Sequence, residues 1–313
     1  MRYQIAAVAR MSNLSIDTIR SWERRHAIVK PQRDGGGARL YSDDDVARLT
    51  LAATATQLGH PIRRIAQMSN EQIEQLLSHD RRTEQALHGG VVERVMAALC
   101  DHDAGLVEQL LASAALLIPT RELVLNVLAP LLRDIGERWA HGRVKLWQEH
   151  LLSTLIRKTA EALSRPASAG APLIFATPPF EMHEFGIMLA AMLAAAQGYV
   201  TYNLGTGVPS EEIASAARRL KAAVVVVGLT RGSTSIDAAL EFTVALDAAL
   251  VPAINLWLGG TLGAEVAPLA DSPRVRAVAS LEEFDRLCRA GALESSPRRR
   301  TATHSNETSV REA

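Results

Sequence analysis

Residues 173–186 read LIFATPPFEMHEFG. The opening LIFAT (173–177) has the apolar and β-branched character of a buried strand. Glu181-Met182-His183-Glu184-Phe185-Gly186 follows it directly. In an open α/β sheet, ligands bind outside the carboxyl ends of the strands, so a histidine here stands where it meets a ligand. Glu181 is spaced to accept a hydrogen bond from one imidazole nitrogen and leave the other free for a metal. Gly186 lets a bulky group approach the start of the next helix. The E-x-H-x-x-G spacing also occurs in ordinary polar loops, so its neighbours have to decide its meaning.

Working outward, residues 173–290 alternate strand and helix. Further strands are expected at YVTYNL (199–204), AVVVVGL (223–229), INLWLG (254–259) and VRAVAS (275–280), with a last helix at 281–290. The unbroken apolar run Ala222–Leu229 marks a strand buried on both faces, as in a parallel sheet. This is a doubly wound α/β domain over 172–290. Ahead of it lies a linker, Arg165–Pro172, and behind it a polar tail over 291–313, expected to be disordered, with Arg298-Arg299-Arg300. Between 82 and 165, apolar residues recur at helical spacing over about 83–100, 104–114, 119–139 and 145–164, which predicts a four-helix antiparallel bundle. Gly89-Gly90 weakens the first of these helices.

Residues 1–77 form a third module of short helices. Segments 5–11 and 15–26 are helical, with Ser15 as the N-cap of the second. Residues 33–41 (RDGGGARLY) favour a hairpin tip over a helix. Ser42 before Asp43, Asp44 and Asp45 starts another helix with acids at its positive end, and a further helix is expected over 61–77.

Composition sets the outer limits. The 313 residues suit two or three domains, and 48% of them are hydrophobic, enough for sizeable cores. No apolar run is long enough to span a membrane, and MRYQIAAVARMSN does not read as a signal peptide. Cys100 and Cys288 are too few and too far apart for a disulfide framework or a metal cluster, which fits a reducing cytoplasm. Net charge is zero, yet residues 1–64 carry eleven Lys and Arg against six Asp and Glu. A basic module on an otherwise acidic chain suggests a partner that is a polyanion. No nucleophile–base arrangement, phosphate-binding loop or zinc motif is present.

The basic head has the layout of a helix-turn-helix whose second helix, 15–26, enters the major groove. Arg20, Arg24 and Arg25 are set to read guanine edges or neutralise phosphate, and Thr18 and Ser21 are short donors. Arg33 and Arg39 on the hairpin would reach the DNA backbone. Trp22-Glu23-Arg24-Arg25 after Thr18-Ile19-Arg20, then Gly37-Ala38-Arg39-Leu40-Tyr41, resembles the MerR family of winged helix-turn-helix regulators over about the first 75 residues. Tyr41 enters the candidate DNA-contact set through this resemblance, although large aromatics such as Trp22 and Tyr41 favour burial.

The α/β half resembles cobalamin-binding domains of the methionine-synthase type. This implies His183 as the lower axial cobalt ligand, with Thr230, where the family has Ser, and Gly259-Gly260 beside the buried nucleotide tail. In the bundle, Trp139, nine residues, then Glu149-His150 resembles the CarH/LitR photoreceptor branch, whose members bind adenosylcobalamin. The resemblance spans about residues 1–290. It implies that Trp139 covers the upper axial group, that Glu149 accepts hydrogen bonds from the adenosyl moiety, and that His150 assists. The chain departs from the branch in one place. Where a His that takes the upper axial site after illumination directly follows the Trp, this chain has Ala140, with His141 one residue later and about 100° round the helix.

Together these readings predict a multidomain chain: an N-terminal winged helix-turn-helix, a helical bundle and a Rossmann-like cobalamin-binding domain. The expected function is a light-responsive, adenosylcobalamin-dependent transcriptional repressor. It binds double-stranded operator DNA in the dark as a homo-oligomer, dimer or tetramer. Two alternatives stand beside it: a cobalamin-sensing or cofactor-independent regulator without photochemistry, and a corrinoid carrier for methyl transfer. The basic head argues against the carrier.

Overall fold

The computed structural model describes residues 2–33, 37–163 and 170–291 (of 81–86, the backbone alone). The expected linker therefore lies mostly outside the described residues, as do the glycine tip of the hairpin at 34–36 and nearly all of the tail. The chain divides into two compact units, Met1–Leu87 and His88–Ala313.

The first unit begins with β1 (Arg2–Gln4), α1 (Ile5–Ser12) and α2 (Ile16–His26). Ser15 caps α2 as expected, its hydroxyl accepting from the Thr18 amide at 3.0 Å. Asn13 turns the chain between α1 and α2 in the left-handed region, at φ 54°. The hairpin strands β2 (Gln32–Arg33) and β3 (Arg39–Ser42) join β1 in an antiparallel sheet of order β1-β3-β2. Next come α3 (Asp43–Gln57), α4 (Ile62–Ile65) and α5 (Asn70–Cys100). Ser42 and Asp45 close a reciprocal capping box at the start of α3. Val8, Ile19, Tyr41, Leu49, Ile65 and Ile73 form the core of this unit. The single helix expected over 61–77 is instead two. Ser69 and Gln72 exchange hydrogen bonds, Ser69 N to Gln72 Oε1 at 2.8 Å and Gln72 N to Ser69 Oγ at 3.2 Å, and so start a new helix at Asn70. That helix runs on through 78–81 and through Gly89-Gly90 without a break.

In the second unit, the rest of α5 is followed by α6 (Ala104–Leu117), α7 (Thr120–Leu123), a π turn (Val124–Leu128), α8 (Ala129–Ala140) and α9 (Leu146–Leu163). The π turn places the Ala129 amide on Val124 O, five residues back, immediately before Pro130, which has no N–H to give. The α/β layers follow: β4 (Pro172–Ala176), α10 (Phe185–Ala196), β5 (Val200–Gly205), α11 (Ser210–Arg219), β6 (Val224–Gly228), α12 (Ile236–Ala249) and β7 (Asn255–Gly259). A short α13 (Gly263–Val266), a 3-10 turn (Ala267–Ala270), β8 (Val275–Ala277) and α14 (Leu281–Arg289) complete them. The sheet is parallel throughout, in the order β5-β4-β6-β7-β8. The chain reverses direction across the sheet between β4 and β6, which puts the binding crevice at their carboxyl ends.

Strand alternation divides the core. Ile174, Ala176, Val225 and Val227 face the layer containing α11 and α12. Leu173, Phe175, Val224 and Val226 face the other way, into one cluster shared with α10, α14 and the bundle residues Leu128, Leu131, Leu152 and Ile156. Helix α10, FGIMLAAMLAAA, is buried from Ile187 to Ala194. A helix apolar on every side needs a partner on every side. The bundle and the sheet supply them, so these layers pack as one body.

Cys288 lies in this shared core, and burial together with the neighbouring Asp285 carboxylate pushes its thiol up to about 12. Cys100 is exposed. One thiol per native chain therefore reacts with a disulfide reagent at pH 8, and the second reacts only in denaturant. Two fast-reacting thiols would contradict the burial of Cys288.

Candidate functional site

The loop after β4 is organised by a carboxylate. Glu181 is fully buried, and donors surround it. Oε1 accepts from the His183 amide at 2.8 Å, from His183 Nδ1 at 2.6 Å and from the Ser233 hydroxyl at 2.8 Å. Oε2 accepts from the Thr230 amide at 2.7 Å. Burial pushes its pKa up, but the His183 amide, the Ser233 hydroxyl, the His183 ring and the Thr230 amide together outweigh burial and hold it below the usual glutamate value. Glu181 is thus a carboxylate at neutral pH, and it draws a proton onto His183 Nδ1. Nε2 lies on the other side of a ring that is 69% exposed, away from the bond to Glu181.

His183 borders a cavity of about 320 Å3 at the carboxyl ends of β4, β6 and β7. Gly186, Thr230, Gly259 and Gly260 line the same space, so five of the sequence-derived site residues converge there. Its deeper wall is apolar, formed by Ile187, Ala190, Val226, Val278 and Phe284. The glycines have different reasons to be there. A Cβ on Gly186 would meet nothing within 4 Å, so open space lies beside this lining residue. Gly260 has φ +81°, and a Cβ there would fall 2.2 Å from Leu229 O, so no other residue fits. A free imidazole nitrogen at the mouth and an apolar interior suit a metal-centred macrocycle with an appended aromatic tail. The residues present fit a cobalamin.

The bundle residues sit apart from this cavity. Trp139 is in the last turn of α8 and half exposed. The Glu149 carboxylate, in the first turn of α9, accepts from Ser153 Oγ at 2.7 Å and pairs with His150 Nδ1 at 3.1 Å. The helix does end at Ala140, and His141 caps it. His141 Nδ1 lies 2.6 Å from Glu137 O, which leaves its Nε2 free. Ser233 was not anticipated. Its only sequence signal is its place in the TRGSTS loop (230–235) after the third strand of the sheet.

In the first unit, Arg20, Arg24 and Arg25 on α2 are exposed, as is Arg33 on β2, while Thr18 and Ser21 are half-buried. Arg39 is 41% exposed, its Nε held 3.1 Å from Glu23 Oε2. Tyr41 departs from the expected DNA-contact set. It is fully buried, and its hydroxyl donates to Glu23 Oε1. Burial, then this bond, raises its pKa. The reason is strand alternation: Tyr41 faces the core while its neighbours on β3 face out. Tyr41 therefore props Glu23, which in turn orients Arg39. Among the described residues, no helix is long and apolar enough to cross a membrane.

Residues 3–72 match the family model for the MerR HTH family regulatory protein, and residues 91–164 match that for a B12 binding domain. The chain is 30% identical over 295 residues to the HTH-type transcriptional repressor CarH of Myxococcus xanthus, covering 91% of this chain and 97% of that one. It is 28% identical over 243 residues to the HTH-type transcriptional repressor CarA of the same organism, covering 74% and 77%. Among solved structures, the monomethylamine corrinoid protein of Methanosarcina barkeri shares the fold, with a TM-score of 0.53 at 15% identity over 66% of this chain and 98% of that one.

Glu181→Gln forces an amide N–H2 against at least one inward-pointing donor and destabilises the fold by about 3 kcal/mol, read as a lower melting temperature. His183→Ala removes one of the four donors to Glu181 and lowers the melting temperature less than Glu181→Gln does, and it is expected to abolish the absorption change that would mark histidine ligation of added cobalamin. On the DNA side, Arg33→Ala weakens binding to all sequences alike and reduces the salt slope of log K by about one. Arg20→Ala instead relaxes sequence preference; fluorescence anisotropy against several duplexes and salt concentrations separates the two.

Proposed function

Because this chain belongs to the family of the HTH-type transcriptional repressor CarH, a MerR-type DNA-binding head joined to a B12 binding domain, we propose that it is a light-responsive repressor whose resident cofactor is adenosylcobalamin. The observation that carries the reading is His183, with Nδ1 fixed by buried Glu181 and Nε2 free at the mouth of an apolar, glycine-lined cavity. His183 would hold the cobalt from below. Gly186, Thr230, Gly259 and Gly260 would make room for the nucleotide tail. When bound, the cofactor supplies a cobalt–carbon bond that visible light breaks.

The residues of the chain convert that chemistry into a switch. Trp139 would offer an indole face to the organic group that the cobalt carries, Glu149 would offer it a carboxylate acceptor, and His150, paired to Glu149, would orient that carboxylate. These contacts would exist only with that group bound. They therefore bias the bundle toward one arrangement in the dark and stop doing so after illumination. The dark arrangement supports a homo-oligomer, dimer or tetramer. Several basic heads then engage one operator at once, and loss of the oligomer loses avidity. His141 would be a candidate second histidine for the cobalt, through the Nε2 that its bond to Glu137 O leaves free.

The test is an absorption spectrum, gel filtration and operator binding of the full chain loaded with adenosylcobalamin, before and after green light. The expected outcome is a spectral change, a smaller particle and at least a tenfold loss of operator affinity. An unchanged spectrum and unchanged affinity would sink the proposal. Operator binding that responds to cobalamin but not to light would favour a cobalamin sensor without photochemistry.

A further inference from the structure

Among the described residues, two ion pairs join the bundle to the α/β layers, and they differ in kind. One is deep. Arg121, in α7, donates from Nε to Asp285 Oδ2 at 2.7 Å, and Arg289 approaches the same oxygen at 3.0 Å. The Asp285 side chain is 0% exposed. Its neighbour Phe284 lines the cavity. The other pair is shallow. Arg157, in α9, donates from Nε at 2.9 Å and from Nη2 at 2.5 Å to Glu184 Oε1, with side chains 41% and 26% exposed. The guanidinium also lies 5.5 Å from the centre of the Phe185 ring. Exposing a buried carboxylate without its partner is costly, whereas a half-exposed pair contributes little to stability and opens readily.

The shallow pair lies in a telling place. Glu184 directly follows His183. On α9, Glu149, Ser153 and Arg157 fall four residues apart and share one helical face, and Ser153 is already bonded to Glu149. That face runs from Glu149, expected to meet the adenosyl moiety, to Arg157, which is bonded to the residue next to His183. Helix rise sets Glu149 about 12 Å along the axis from Arg157.

We propose that Arg157 is a positioning residue. Its pair with Glu184 fixes the spacing between α9 and the His183 loop, and this contact opens when the bundle moves. Arg121–Asp285 stays closed as the pivot. The inference rests on the cobalamin reading above. A large upper group that must reach Glu149 depends on the spacing, whereas a methyl group, too small to reach it, does not.

The experiment measures dark binding of adenosylcobalamin and methylcobalamin to the full chain by absorption, for wild type, Arg157→Met, Glu184→Gln and the charge-swapped double variant R157E/E184R. Arg157→Met should weaken adenosylcobalamin about three- to tenfold and methylcobalamin less than twofold, with the histidine-ligated spectrum intact for both. The double variant should restore the wild-type ratio. Glu184→Gln keeps the side chain's shape and should shift the ratio in the same direction, so it carries the test if Arg157→Met does not fold. An unchanged ratio, equal losses for both cobalamins, or no restoration by the swap overturns the positioning role while leaving the site intact. If wild type binds neither cobalamin with a histidine-ligated spectrum, the site reading fails and this inference falls with it.

Discussion

Burial alone would push a carboxylate toward its neutral form, yet the hydrogen bonds to Glu181 hold its pKa below the usual glutamate value, and the geometry of the site depends on it. Four hydrogen bonds, from two backbone amides, one hydroxyl and one imidazole, replace the water it lost. The two amides come from different strand ends, since His183 follows β4 and Thr230 follows β6. One side chain therefore ties together the two loops that flank the reversal point of the sheet, and it orients the His183 ring. The cavity mouth is built around a charge that only the folded topology can solvate.

The bundle is fixed to this frame by a different force. Its apolar face and the apolar face of the sheet share α10, whose residues from Ile187 to Ala194 are all buried. Non-directional packing holds the body together, while ion pairs at its rim, one buried and one half exposed, decide where it can flex. The DNA-binding unit repeats the logic of the Glu181 site on a smaller scale. Glu23 takes the Tyr41 hydroxyl on one oxygen and Arg39 on the other, so the core orients a surface cation.

Much of this was legible in the chain itself. The β–α alternation, the buried strand at Ala222–Leu229, the Ser15 cap, the E-x-H-x-x-G loop and the Trp139…Glu149-His150 spacing are local patterns, and local patterns survive in sequence because the residues that interact are close along the chain. The match to CarH over nearly its whole length agrees with the domain order those patterns gave. The single helix expected over 61–77 is divided for a local reason too: the Ser69–Gln72 box starts a new helix.

The sequence by itself determined that a free-nitrogen histidine would follow the first strand of a parallel sheet and that a basic helix-turn-helix would precede it. Only the tertiary structure decided which partners complete them. Ser233 and the Thr230 amide reach Glu181 across about fifty residues, the Tyr41 hydroxyl finds Glu23, and Arg157 meets Glu184. Strand order and side-chain direction create these contacts, and neither leaves a local signature, because a strand's neighbour in the sheet is chosen by the packing of the whole and not by the residues beside it in the chain.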